Sequence, residues 1–431
     1  MKNSIKSTLC LALCLISLQA RCELRDTSHV ASLDYTGELG YFQKANRDLG
    51  DPVFMLYDDK LGLDFGIGGT VKVNAFFDCL GNLYGRKFSP TNISVPTDHS
   101  NTLGATVKDS ELHVKARYHF GKHKVIAFLK VNGNDSNMIK IDQAYVSFDG
   151  FSIGLIPSFF SDLEVGYLTA GCNVTSPVSF THPLVGYKRQ FGNHWVFGAS
   201  LEKPEVSIPQ WLDSRGLSPD SQCFPDVTLH TKCRWEGGHV QLGILARNLK
   251  YWTYTPPVQY SAQGDSFYRF GYGISLTGHQ QVSEKFSLSG EFVYGKGISR
   301  YMDVFNGVVS DLGVVNEKVG DNYRMDVLPV FNGLVSARCE WSEKLTSTVI
   351  ISYARSFEVG GVALPGYEWQ SFDRNFNHSV YGLANLFWNI SPSALAGIEA
   401  LYGYSRLRNA GMLPSDYGTV LRMMFTLSFM F

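Results

Sequence analysis

The sequence is poor in charged residues and carries almost no net charge. Lys, Arg, Asp and Glu make up 18% of the 431 residues, and the formal net charge is −1. A typical soluble domain has roughly 25% charged residues. Without a basic excess or a familiar nucleic-acid module, the chain is not expected to bind nucleic acid. Its aromatic content of 13% and its 42 glycines exclude a disordered acidic tail, a coiled coil and a collagen.

A long apolar run is missing after the first twenty residues. The chain starts with a basic segment, continues with an apolar stretch over residues 9–18, and has a small residue, Ala20, at a plausible cleavage site. This pattern predicts a secretory signal peptide at residues 1–20, and the stretch is too short for a spanning helix. Arg21 stands where a lipoprotein needs a small residue before Cys22, so a lipid anchor is the minor alternative. The mature chain is expected to be exported and to lack a transmembrane helix.

Cysteine is sparse and shows no metal-binding pattern. Six cysteines follow the predicted signal peptide, far apart in sequence: Cys22, Cys79, Cys172, Cys223, Cys233 and Cys339. A C-x-x-C motif and a Cys/His cluster with zinc spacing are both missing, so neither a metal nor a cofactor is predicted. Whether any of the six cysteines form disulfides is left open.

Catalytic patterns are missing as well. His378 and Ser379 are neighbours in a strand-like segment and would point to opposite faces, so they cannot form a nucleophile and base pair. Gly66, Gly68 and Gly69 also lie within a strand-like segment, and no helix follows to receive a phosphate. The sequence is therefore predicted not to encode an enzyme.

The feature that recurs is alternation of apolar and polar residues with period two. Within residues 111–120, for example, every second residue from Leu112 to Phe120 is apolar, and the residues between them are charged or polar. Short connections, such as Gly121-Lys122 and Asp149-Gly150, alternate with long ones. Sixteen such segments follow one another, at residues 64–79, 106–120, 123–132, 138–149, 151–158, 179–191, 194–203, 226–235, 239–251, 268–279, 285–297, 325–340, 344–357, 376–389, 394–406 and 419–431.

Long and short connections that alternate through an even number of strands place all long loops at one end of the sheet. Outer-membrane barrels have strands of about ten residues, short periplasmic turns and long outer loops. Such a sheet must close, because unpaired backbone groups are costly in hydrocarbon. We therefore expect an all-β fold, a 16-stranded antiparallel transmembrane β-barrel at residues 64–431, after a periplasmic N-terminal segment at residues 21–63. The expected location is the outer membrane of a Gram-negative bacterium.

The last segment and the strand number indicate assembly route and function. The final strand alternates apolar residues up to Phe431, which is the pattern that the barrel-assembly machinery recognises. Sixteen strands enclose an aqueous lumen rather than a packed interior. The sequence therefore predicts a porin, a passive diffusion channel for small hydrophilic solutes. A surface-structural or adhesin-type barrel without a transport role is the alternative.

Several short motifs stand at set intervals along the chain, and they include Ile67-Gly68-Gly69-Thr70, Phe151-Ser152-Ile153-Gly154, Tyr294-Gly295-Lys296-Gly297-Ile298-Ser299-Arg300-Tyr301 and Asn385-Leu386-Phe387-Trp388. In their order and spacing these motifs resemble those of DcaP-type trimeric outer-membrane porins. The resemblance covers residues 64–431 and implies a homotrimer and a preference for anions. Two departures remove positive charge near the expected constriction. Asp142-Gln143 stands where the family has an Arg-His pair, and Leu155-Ile156-Pro157 replaces polar and Trp positions.

Candidate site residues follow from the inward-facing parity of the strands, since selectivity depends on pore diameter and wall charge. The pore-lining candidates are Lys72, Glu111, His113, Lys115, Arg117, Lys130, Arg247, Glu291, Arg338, Glu399 and Arg422. The third long loop, residues 159–177, is expected to fold inward and to form a constriction with Asp162 and Glu164. The alternative is that these two are ordinary solvated carboxylates.

The wall candidates contain seven basic and three acidic side chains besides His113. This excess predicts weak anion selectivity, reduced at the constriction by Asp142, Asp162 and Glu164, with Arg117 and Arg247 as the residues that set it. The loops at residues 80–105, 204–225 and 298–324 are predicted to lie at the cell surface.

Overall fold

A computed structural model describes residues 54–58, 62–83, 89–133, 139–171, 178, 180–208, 216–254, 264–305, 309–319, 322–359, 376–408 and 413–431. All of them belong to one compact unit, Tyr35–Phe431. The predicted signal peptide, residues 21–53, Cys22 and Cys172 lie outside the described residues.

Within the described residues, sixteen antiparallel strands form a closed barrel and are numbered here in chain order. They are β1 (Leu63–Cys79), β2 (Glu111–Phe120), β3 (His123–Gly133), β4 (Ile139–Phe148), β5 (Phe151–Pro157), β6 (Thr181–Phe191), β7 (Trp195–Glu202), β8 (Asp226–Trp235), β9 (Gly238–Tyr254), β10 (Gly264–Ser283), β11 (Phe286–Lys296), β12 (Pro329–Ser342), β13 (Leu345–Ser356), β14 (Phe376–Ser391), β15 (Ala394–Leu407) and β16 (Tyr417–Met430). Each strand pairs with the next, and β16 pairs with β1 from Met430↔Thr70 to Leu421↔Cys79. The predicted 16-stranded antiparallel barrel is confirmed, and each alternating segment corresponds to one strand.

The two faces of the strands are inverted relative to a soluble protein. On β16, Met423, Phe425 and Phe429 point outward and are exposed, whereas Arg422 and Thr426 point inward and are buried. The same alternation recurs along the other strands, with apolar side chains on the outer face. An apolar outer face matches hydrocarbon, and a polar inner face matches an aqueous lumen.

Short turns with residues at positive φ connect neighbouring strands at one end of the barrel. Asp149 and Gly150 connect β4 to β5, and both have positive φ, 46° and 89°. A two-residue turn of this kind matches the twist of the strands that it joins. Gly121 and Gly192 take positive φ in the turns after β2 and β6. The long connections all lie at the opposite end, as predicted.

Short accessory strands complete the sheet edges of β1 and β9. Phe54–Asp58, within the segment predicted to be periplasmic, pairs with the start of β1, and Thr102–Thr106 pairs with its end. Leu217–Pro219 adds to the tip of β9. A separate hairpin, Leu312–Val319 with Asn322–Val327, lies in the connection between β11 and β12.

A small apolar core lies at the loop end, apart from the main interior. It joins Leu217, the β9 residues Leu249 and Tyr251, and the hairpin residues Leu312 and Met325, all of which are buried. The hydroxyl group of Tyr251 accepts a hydrogen bond from the backbone N–H of Met325 at 3.2 Å. These contacts hold the hairpin against the tip of β9.

Helices in the described part of the chain are short turns such as Ser299–Tyr301, and none is long and apolar enough to cross a membrane. The described cysteines, Cys79, Cys223, Cys233 and Cys339, have free thiols. Among the described residues, no group of three or more His, Cys, Asp or Glu side chains could hold a metal ion.

Candidate functional site

The third loop, between β5 and β6 (residues 158–180), turns into the barrel at its first residues. Phe159 and Phe160 are fully buried. Glu202 of β7 accepts hydrogen bonds from the Ser158 hydroxyl at 2.9 Å and from the Phe159 backbone N–H at 3.1 Å. Its carboxylate also lies 2.6 Å from Nε2 of His182 on β6. Glu202 therefore fixes the direction in which the loop enters the lumen.

Asp162 fastens the loop to three adjacent strands. Its carboxylate accepts from Lys232 Nζ of β8 at 2.6 Å and from the Thr277 hydroxyl of β10 at 2.7 Å, and it lies 2.9 Å from His239 Nε2 of β9. Burial alone would raise the pKa of Asp162, but the charge of Lys232 and the contact with His239 hold that pKa well below its ordinary value. The carboxylate is therefore ionised, and we call this set of contacts the Asp162 latch.

Glu164 continues the contact with the same part of the wall. Its carboxylate pairs with Lys232 at 3.0 Å and with Arg234, both on β8. Desolvation opposes ionisation of Glu164, yet Lys232 and Arg234 keep its pKa below the ordinary value. More than a third of the Glu164 side chain remains exposed, whereas Asp162 is closed off from solvent.

The middle of the third loop is held on the opposite side of the barrel, and its end returns to β11. Glu399 of β15 accepts from the Ala170 backbone N–H at 2.9 Å, and Asn385 of β14 donates to the Leu168 carbonyl at 2.7 Å. Glu291 of β11 accepts from the Val178 backbone N–H at 3.1 Å. Anchors on β7–β11 and on β14–β15 place the loop across the lumen, so the two candidates Glu291 and Glu399 contact loop backbone.

The sixth loop, between β11 and β12 (residues 297–328), also enters the barrel. Its residues 298–305 are all less than 10% exposed. The Phe305 ring meets the Phe376 ring of β14 with centroids 5.9 Å apart, and Tyr301 meets Phe160 of the third loop at 6.2 Å. The expectation of a surface loop over the whole of 298–324 is wrong for these eight residues, because their apolar side chains pack inside the barrel.

Arg247 of β9 secures the sixth loop from the wall. Its guanidinium lies 2.9 Å from Asp226 of β8 and 3.1 Å from Asp311 of the loop, and it donates to the Gly297 carbonyl at 2.5 Å. The Tyr301 hydroxyl donates to the same Asp226 carboxylate at 2.9 Å. Arg247 faces inward, as its parity predicts, but it is 1% exposed and surrounded by its partners.

The other wall candidates differ in their exposure, in their partners and in their position along the barrel. On β2 to β4, Lys130 lies 2.9 Å from Asp142 and 3.5 Å from Glu111, and both carboxylates are partly exposed. Lys72 is half-buried on β1, whereas His113 and Lys115 are buried. Arg117 pairs with Asp64 at 3.4 Å and Arg338 pairs with Glu340 at 3.0 Å, both toward the end with the short turns.

Arg422 lies at the seam where β16 meets β1. Its Nε and Nη2 atoms donate to the two carboxylate oxygens of Asp78 at 2.6 and 2.8 Å. Asp78 stands directly opposite in the strand register, and neither side chain is exposed. The guanidinium also lies 4.1 Å from the centre of the Phe76 ring.

Sequence reasoning missed several residues that organise the lumen. Lys232 and Thr277 have the inward parity of their strands, and this signal could have included them among the candidates. Asp311 has no such signal, because it lies in a long loop and is 64 residues away from Arg247 along the chain. Asp142, expected to offset wall charge, is placed beside Lys130 by a shift in the β3–β4 register.

No family model matches the sequence, and no curated protein is similar enough to indicate a relationship. Among solved structures, the outer membrane channel DcaP of Acinetobacter baumannii has a TM-score of 0.69 at 16% identity, over 88% of this chain and 100% of that one. OmpT of Vibrio cholerae, described as outer-membrane expressed, has a TM-score of 0.52 at 11% identity, over 88% of this chain and 100% of that one. The expected resemblance is thus confirmed in the fold, and this chain has the outer-membrane barrel fold of the channel DcaP.

Proposed function

We propose that the protein is a porin of the outer membrane of a Gram-negative bacterium, through which small hydrophilic solutes diffuse passively. The observation that carries the proposal is the closed barrel with an apolar outer face, a polar inner face and an inward third loop. A polar lumen supplies water-like surroundings for a solute, and an inward loop sets the size limit. DcaP, which has the same fold, is described as an outer membrane channel.

The two inward loops make the passage narrow. The third loop crosses the lumen, and residues 298–305 fill part of the space beside β12 to β14. We infer that solutes pass on the side of β1 to β4, where Lys72, Glu111 and Asp142 keep partial exposure inside the barrel. The Asp162 latch keeps the third loop in place.

Selectivity in this proposal comes from the partly exposed charges rather than from the buried arginines. Arg247 and Arg422 each lie against carboxylates and have no exposed surface to offer a passing ion. Glu111 and Asp142 share one ammonium group, Lys130, and Lys72 adds a positive charge nearby. The near balance of these groups favours only weak ion selectivity, with Arg117 as a secondary contributor.

Planar-bilayer conductance tests the proposal. The purified, heat-modifiable protein should show discrete conductance steps, and Asp162→Asn should enlarge them, because the amide cannot neutralise Lys232 and the loop is released. Asp149→Asn is the matched control, since it removes a carboxylate from an exposed turn at the other end. A folded protein without conductance would favour the alternative, a surface-structural or adhesin-type barrel.

The expected partners follow from the same proposal. Outer-membrane lipid contacts the apolar outer face, the barrel-assembly machinery inserts the chain, and the resemblance to trimeric porins supports a homotrimer. We also propose that the protein is not an enzyme. On β14, Ser379 is buried and inward whereas His378 is partly exposed and outward, so the two cannot act as a catalytic pair.

A further inference from the structure

A row of aromatic rings crosses the outer face of the barrel at the loop end. Ring centroids are 6.3 Å apart between Phe331 and Tyr353, and 5.8 Å apart between Tyr353 and His378. The row continues from His378 to Tyr404 and from Tyr404 to Tyr417, again at 5.8 Å in each case. These five residues lie on the five adjacent strands β12 to β16, so the rings form one continuous band.

Two arginines are built into this band. Arg355 of β13 stands directly opposite His378 of β14, and His378 stands opposite Arg406 of β15. Phe331 of β12 stands opposite Arg355, and Tyr417 of β16 stands opposite Arg406. Each arginine is the last but one residue of its strand, and both side chains are exposed. The structure thus places two guanidinium groups and an imidazole side by side at the upper edge of the barrel.

The charges around this cluster leave a positive excess. Arg406 pairs with Asp416 at 2.8 Å. Arg355 lies 4.9 Å from the Phe357 ring, and no carboxylate of the described residues pairs with it. Arg408, behind them, donates to the Phe376 and Ser356 carbonyl groups and lies 3.4 Å from Glu358. Within the part of the chain that the structure describes, Arg355 therefore adds a positive charge without a carboxylate beside it, which an anion at Arg355 and Arg406 would meet.

The position of the cluster selects the kind of anion. Toward the middle of the barrel, the outward residues below it are apolar and exposed, including Val349, Ile351, Ile398 and Tyr402. A molecule that contacts both surfaces must have apolar chains and, above them, an anionic headgroup. Guanidinium groups bind phosphate oxygens in bidentate geometry, and aromatic residues suit the interface between chains and headgroups.

We propose that Arg355, His378 and Arg406, within the aromatic band, form a binding site for a lipid with a phosphorylated headgroup in the outer leaflet. The proposal rests on the proposed outer-membrane location but not on transport. The lipid chains lie along Ile351 and Ile398, and the phosphate accepts hydrogen bonds from the two guanidinium groups. Asp416 orients Arg406 and limits the site to a single excess positive charge.

The test measures binding of diphosphorylated lipid A to the full-length protein in detergent, by native mass spectrometry, with dephosphorylated lipid A as the comparison. Arg355→Gln combined with Arg406→Gln should weaken binding at least about tenfold, the effect of losing one charge-assisted contact. Arg189→Gln is the matched control, because Arg189 is an outward arginine beside an aromatic ring, Phe191, at the opposite end of the barrel. That variant should bind as the native protein does.

The following results would overturn the proposal. They are equal binding by the double variant, an equal loss in Arg189→Gln, and displacement of the lipid by millimolar inorganic phosphate, which would mean a site for free anions. A double variant that changes the oligomeric state but keeps its lipid would identify the band as a contact between copies instead, and would also overturn it. Conductance recorded on the same samples separates a failure of the lipid-site proposal from a failure of the channel proposal, since lipid binding requires no transport.

Discussion

The ion pair at the barrel seam gives a quantitative prediction. Asp78→Asn leaves the Arg422 guanidinium buried without a countercharge, at a position where two hydrogen bonds of 2.6 and 2.8 Å now hold it. Removing one partner of a buried ion pair costs about 3–5 kcal/mol, and neither side chain here is exposed. We therefore expect Asp78→Asn to lower the free energy of unfolding by that amount, because the charge cannot be solvated inside the seam.

Asp64 provides an internal comparison on the same strand. It lies 3.4 Å from Arg117 and 3.0 Å from His119, and its side chain is 14% exposed against 0% for Asp78. Water can reach this group, and fully solvent-exposed pairs contribute only about 0.2–1 kcal/mol. Asp64→Asn should therefore cost far less than Asp78→Asn. Replacing both partners, with Asp78→Asn and Arg422→Gln together, removes the buried charge and should recover most of the loss.

The measurement is urea unfolding of the refolded protein in detergent micelles, followed by tryptophan fluorescence, with free energies taken from midpoints and slopes. If Asp78→Asn cost no more than Asp64→Asn, burial of the seam pair would not matter to stability. The single variant Arg422→Gln completes the comparison. If the double variant lost as much free energy of unfolding as Asp78→Asn and Arg422→Gln lose together when measured separately, the pair would not be coupled, and the reasoning would fail.

Three further predictions concern the channel. Glu111→Gln with Asp142→Asn should shift the reversal potential under a salt gradient toward anions, more so at low ionic strength, because Lys130 loses both partners; an unchanged potential would contradict this path for solutes. The lowered pKa of Asp162 means that the stabilisation from its latch is complete above the ordinary aspartate pKa and is lost only as pH falls through the lowered value. Conductance should therefore be equal at pH 7 and pH 5, and a rise at pH 5 that Asp162→Asn lacks would refute this. Epitope tags inserted at Asn101 and Ser218 should be accessible on intact cells and a tag at Gly237 should not, whereas the reverse pattern would invert the topology.

The strands could be predicted from the sequence because each carries its own signal, a period of two bounded by turn residues. Parity also gave the inward direction of Arg247 and Arg422 correctly. What parity cannot show is whether an inward side chain meets water or protein, since that depends on loops that are distant in sequence. Asp162 reaches Lys232 and Thr277, 70 and 115 residues further along the chain.

The prediction that the sixth loop lies at the surface was wrong for residues 298–305 because it used the length of the loop and not its composition. Residues 298–305 include Ile298, Tyr301, Met302 and Phe305, and an exposed loop has no reason to hold so many large apolar side chains. Their content predicts burial but not where it occurs. The partner, Phe376, belongs to a strand more than 70 residues further along the chain.

The partners of β1 bear on how the barrel avoids mispairing while it assembles. On one edge, β1 meets β2 over residues 63–70 and Thr102–Thr106 over residues 74–78; on the other, Phe54–Asp58 takes residues 63–67. On that second edge, residues 70–79 of β1 then remain to pair with β16. An open strand edge is a template for pairing with any other chain. The two short strands are close in sequence to β1 and can therefore pair with it early. The edge that remains accepts the last strand in a single register. Chains inserted side by side then have little free strand edge through which to aggregate.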